Sequence, residues 1–194
     1  TGGGGLTKIG GGRLTLSGTS GGYSGTTIVN AGVLEVANPT ALGTSAVTVN
    51  AAVLEINNVT IANTASLNNG ATLRGVGAAG YWGGNITMTS GASVNIATVS
   101  GGDVLDINSG YANAGGSTVT PTINITGPGR VNLNGGNNAF RGHWVIQDGV
   151  LRASLNTAFG SPTASGSLVG STLTLAGGDL LVRSDANVAF NAGA

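Results

Sequence analysis

The chain has 194 residues, of which only 7% are charged, with seven basic side chains balancing seven acidic ones and no cysteine. That excludes a nucleic-acid binder, which needs clustered Lys and Arg against phosphates, since Lys8, Arg13, Arg74, Arg130, Arg141, Arg152 and Arg183 are scattered. A spanning helix is excluded because no apolar run nears ~20 residues, and disorder because 40% of the residues are hydrophobic and able to bury a core.

In chain order, the opening Thr1-Gly-Gly-Gly-Gly shows neither a charged start nor an apolar stretch, so it does not read as a signal peptide. Short runs with apolar residues at every second position then follow. They are Arg13–Ser17, Thr26–Asn30, Val33–Val36, Val47–Asn50, Val53–Ile56, Ala71–Arg74, Asn85–Thr89, Ser93–Ala97, Val104–Asn108, Thr122–Thr126, Val131–Asn134, Trp144–Gln147, Val150–Ala153, Thr172–Ala176 and Leu180–Arg183. Period two marks strands with one buried face. No stretch keeps a helical period over three turns, so the chain is predicted all-β.

Repetition separates a solenoid from a sandwich. A shift of 117 residues lays Gly12-Arg-Leu-Thr-Leu-Ser-Gly18 on Gly129-Arg-Val-Asn-Leu-Asn-Gly135. In the same register Tyr23 meets Phe140, Gly25 meets Gly142, Gly32-Val-Leu34 meets Gly149-Val-Leu151, and Thr40-Ala-Leu-Gly43 meets Thr157-Ala-Phe-Gly160. Past an insertion, Val47-Thr-Val49 corresponds to Leu173-Thr-Leu175. Within the first copy, Asn30-Ala-Gly-Val-Leu-Glu-Val36 recurs as Asn50-Ala-Ala-Val-Leu-Glu-Ile56, a spacing of about 20 residues. These features predict one continuous β-solenoid over 1–194 with coils of about 20 residues. Internal copies span about 5–56 and 122–183, joined by a diverged stretch at 57–121.

The segment Gly5-Leu-Thr-Lys-Ile-Gly-Gly-Gly-Arg-Leu-Thr-Leu-Ser-Gly18, followed by Tyr23-Ser-Gly-Thr-Thr-Ile-Val-Asn-Ala-Gly-Val-Leu34, closely resembles the passenger-associated transport repeat of bacterial autotransporters. The copy from Gly129 resembles the same repeat in diverged form, with Arg141-Gly-His-Trp144 in place of Ser24-Gly-Thr-Thr27. The resemblance implies a right-handed parallel β-helix, secreted across the outer membrane and displayed extracellularly or on the cell surface, with no catalytic residue. No terminal membrane barrel is visible.

Chemistry-bearing residues are few. Asp103 and Asp106 are the one close acid pair, and three residues along a strand place them on opposite faces. The reading is a turn acid followed by a strand residue. Glu35 and Glu55 stand one coil apart, so they are either offset or separated by a cation; a solvated outer face is the simpler reading. A lone His143 with no cysteine makes no zinc site, and no calcium nonapeptide or phosphate loop is present. Three glycosylation sequons, at Asn58, Asn85 and Asn124, are expected by chance in so Asn/Thr-rich a chain. No catalytic, cofactor or metal residue is assigned. Gly-flanked Tyr81-Trp82 in an apparent loop reads either as a contact for sugar or protein or as the cap of a corner. Tyr23 and Phe140 read as structural.

Neither end carries a polar or helical cap, and near-zero charge favours association. The predicted partners are copies of itself stacked end to end, or adjoining solenoid segments of a longer chain. The function expected is a stalk or self-assembling fibre segment. A glycan- or protein-binding adhesin is the second reading, and a polysaccharide-active enzyme a distant third.

Overall fold

In the computed structural model, residues 3–113, 119–135, 140–154, 158–159 and 172–182 are described. They form a parallel β-solenoid of stacked coils with no helix. The first two coils contribute β1 (Leu6–Lys8) with β2 (Arg13–Leu16) and β3 (Thr27–Val29) with β4 (Val33–Val36). Four three-stranded coils follow: β5 (Val47–Val49), β6 (Val53–Asn57) and β7 (Thr60–Ile61); β8 (Ala65–Leu67), β9 (Thr72–Val76) and β10 (Gly80–Trp82); β11 (Ile86–Met88), β12 (Ser93–Thr98) and β13 (Val104–Ile107); β14 (Tyr111–Asn113), β15 (Thr122–Thr126) and β16 (Arg130–Leu133). The last two contribute β17 (His143–Ile146) with β18 (Val150–Ala153) and β19 (Thr172–Leu175) with β20 (Asp179–Val182).

Each strand pairs in parallel with its equivalents in the coils above and below, making three faces. The first face runs from β1 to β14 and holds six strands. The second runs through all eight coils, from β2 to β19. The third begins only at β7 and ends at β20, also with six strands. All fifteen strands expected from the alternating runs are present, three with the same bounds (Val33–Val36, Thr122–Thr126, Val150–Ala153). Arg183, Gly160 and the segment 187–194, which reads as solenoid in sequence, lie outside the described residues.

Alternation sends one side of every strand inward. On the second face Leu14, Leu34, Leu54, Leu73, Ile96, Ile125 and Ile146 stack in register into a single aliphatic column, fully enclosed from Leu34 onward. Lys8 enters the equivalent inward column of the first face, in register with Val29 and Val49. Its Nζ is satisfied there by donating to the carbonyls of Ile9 (3.0 Å), Gly10 (2.7 Å) and Ala31 (2.9 Å).

The internal copies are the same corner motif set on different faces. In the first copy β1 and β3 lie on face one with β2 and β4 on face two; in the second, β15 and β17 lie on face two with β16 and β18 on face three. The corner itself is unchanged. Gly32 and Gly149 have φ of 68° and 65°. A Cβ on Gly32 would lie 2.4 Å from the Gly12 carbonyl oxygen, and one on Gly149 2.4 Å from that of Gly129. The loops that close the open side of each copy insert equivalent pairs into the core, Ala41-Leu42 and Ala158-Phe159, all buried.

Candidate functional site

Outward-facing residues also stack in columns, and these columns hold the polar chemistry. On face two Glu35 and Glu55 are directly in register. They are not solvated: their side chains are 12% and 2% exposed. Arg13 bridges both carboxylates and Arg74 pairs with Glu55, so the favoured reading of a solvated face gives way to its alternative, a cation between them, and that cation is a guanidinium. Asn57 and Thr15 add hydrogen bonds to Glu35 at 2.6 and 2.7 Å. Together with Arg13 they hold the Glu35 carboxyl below its ordinary range, and the acids in turn raise the Arg13 guanidinium.

Asp103 sits at the corner before β13, as the turn reading expects. Burial opposes its ionisation, but backbone amides of Ser100 (2.7 Å), Gly77 (2.8 Å) and Val99 (3.0 Å) donate to it and lower its pKa. It therefore clasps its own corner to the coil before. Asp106 faces outward two residues into β13 and bonds instead to Asn132 (2.6 Å) and Asn134 (3.1 Å). The two aspartates share no partner, which is no arrangement for paired-carboxylate chemistry.

Corner asparagines form hydrogen-bonded ladders. Asn50 donates to Asn30 (2.5 Å) and Asn68 to Asn50 (2.6 Å), with Thr89 continuing the line. On the opposite corner Asn134 donates to Asn108 (3.1 Å) and Ser154 to Asn134 (2.8 Å). His143 is one rung of a similar line, between Thr120 (3.1 Å) and Thr172 (2.6 Å). Among the described residues no group of three His, Cys, Asp or Glu is placed to hold a metal ion.

Tyr81 and Trp82 are not in a loop; they lie in β10 on face three. Alternation separates them: Tyr81 points outward, half-buried, and Trp82 points into the core with no exposure. Trp82 is thereby withdrawn as a surface contact, because the pleat sends neighbouring residues to opposite sides. Tyr23, expected to be structural, donates its hydroxyl to the Thr26 carbonyl (2.8 Å) and accepts from the Leu6 amide (3.0 Å). Its counterpart Phe140 is buried edge-on against Trp144, centroids 5.4 Å apart, in a cluster with Tyr111 and Phe159.

One alignment escaped sequence reasoning. On the outside of face three, Tyr81, Asp106, Asn132 and Arg152 are in direct register on four successive coils. Successive members are 25, 26 and 20 residues apart. Loops of unequal length hide such a column from any fixed-period comparison.

Residues 6–36 and 126–153 match the family model described as passenger-associated-transport-repeat. No curated protein and no solved structure matches the chain.

Proposed function

The chain carries two passenger-associated transport repeats on one parallel β-solenoid, and on that premise we propose that it is a non-catalytic extension segment of a bacterial surface or secreted passenger. The observation that carries this reading is the continuity of face two, whose eight strands run through both repeats and the stretch between them. A solenoid of this kind transmits length, since every coil adds one strand spacing of ~4.8 Å along the axis. Its outer surface is held by ladders that link neighbouring coils, which suits a rigid spacer. The edge strands β2 and β19 each pair on one side only among the described residues, and their free edges are where an adjoining solenoid segment or a second copy would add.

Electron microscopy of the purified protein tests the proposal. Short rods about 34 Å long (seven spacings of ~4.8 Å), single or joined end to end into fibres, are expected; irregular aggregates without an axial repeat would refute it. Fibres would assign the second copy as the partner at those edges, and single rods would assign the adjoining segment of the same chain. A second reading, adhesion to a glycan, is favoured by one observation, the polar column on face three.

A further inference from the structure

Building on the adhesive reading, we propose that the outer column of face three, Tyr81, Asp106, Asn132 and Arg152, is a contact site for a polysaccharide chain. Three strand spacings separate its ends, about 14 Å, enough for several sugar units along the solenoid axis. The residue types match what a sugar offers. Tyr81 is half-buried and presents an aromatic ring, to which the apolar face of a pyranose packs. Asp106 and Asn132, 8% and 4% exposed and hydrogen-bonded to each other, form the polar floor of the column, and Arg152 offers a planar fork for adjacent hydroxyl or carboxylate oxygens.

Two observations mark the column as incomplete. Asn132 is 4% exposed and spends its amide nitrogen on Asp106, leaving its side-chain oxygen buried without a hydrogen-bond partner. A buried acceptor in that state is destabilising unless something supplies a donor. Arg152, in register on the next coil, makes no side-chain hydrogen bond or ion pair among the described residues. Its guanidinium is left to donate to a ligand, and a ligand hydroxyl that reached the Asn132 oxygen would complete it. Other polar clusters among the described residues are already closed: Glu35 and Glu55 by arginines and Asn57, Asp103 by backbone amides, His143 by threonines. A protein partner would need a contiguous apolar centre. Nucleic acid would need a cationic one, and here Asp106 and Asp179 offset Arg130 and Arg152 on the same face.

The test is affinity electrophoresis of the whole chain through gels containing dextran, glycol chitin, mannan or polygalacturonate. Retardation by at least one probe is expected, about tenfold weaker in Arg152→Ala and several-fold weaker in Tyr81→Ala. Thr48→Ala, on the outer column of face one, should bind as the parent does. Arg152 holds no partner, so its variant should keep the parent's circular dichroism and melting temperature, which are read alongside. Retardation unchanged in both column variants would overturn this site while leaving adhesion elsewhere on the solenoid. Absence of retardation with all four probes would overturn the site and the adhesive reading together. Neither result touches the spacer role.

Discussion

At the scale of the residue, the ionised and buried polar groups make opposite demands. Glu35 and Asp103 both have folded-state pKa values below the ordinary carboxylate range. Their ionised forms therefore stabilise the fold. That contribution is complete above the unfolded value near pH 4, and is lost as pH falls through the lowered folded values. Melting temperature should hold from neutrality down to about pH 5 and then drop. Asp103→Asn should lower stability at pH 7 by about 1–3 kcal/mol, since one carboxylate receives three backbone amides, and should flatten the acid limb. An acid limb identical to the parent's would refute the assignment. The tryptophans give a second contrast. Trp144 donates to the Phe159 carbonyl at 3.2 Å, whereas the Trp82 indole nitrogen is buried without a partner. Trp82→Phe should cost less than Trp144→Phe by about 1 kcal/mol in urea unfolding, because only the latter breaks a bond.

At the scale of the element, strand existence follows from period two and the corners from glycine. Gly32 and Gly149 combine positive φ with carbonyl oxygens at 2.3 to 2.6 Å from any added Cβ. Alanine at either should cost about 2 kcal/mol or more, and Gly21→Ala, which meets nothing within 4 Å, about 0.5 or less. Equal costs would mean that the corner is not the constraint. Five strands gave no clear sequence signal: β1, β7, β8, β10 and β14. Each has two or three residues, too few for alternation to be distinguished from chance, and each is held by its neighbours in the stack. β3, β5 and β11 are as short but rich in β-branched residues (Thr-Ile-Val, Val-Thr-Val, Ile-Thr-Met), whereas β1, β8, β10 and β14 have one or none, so length and composition together hid them.

At the scale of the whole molecule, coil stacking makes the register modular. Val33 pairs with Val53, so removing residues 33–52 joins Gly32 to Val53 and deletes one coil. The shortened chain should fold, with β-type circular dichroism and cooperative melting; removal of 33–42 alone puts a strand out of register and should aggregate. If both deletions behaved alike, the stacked register would not be what holds the solenoid. Sequence by itself determined the all-β class, the coil of about 20 residues, the corner glycines and both repeats, because these depend on local periodicity and backbone sterics. Only the tertiary structure decided that the second repeat sits one face further round, that Glu35 and Glu55 close on Arg13 and Arg74, and that Tyr81 aligns with Asp106, Asn132 and Arg152 while Trp82 turns inward. Those facts depend on how many residues each loop spends between strands, and a loop can change its length without disturbing the parallel hydrogen bonds on either side of it.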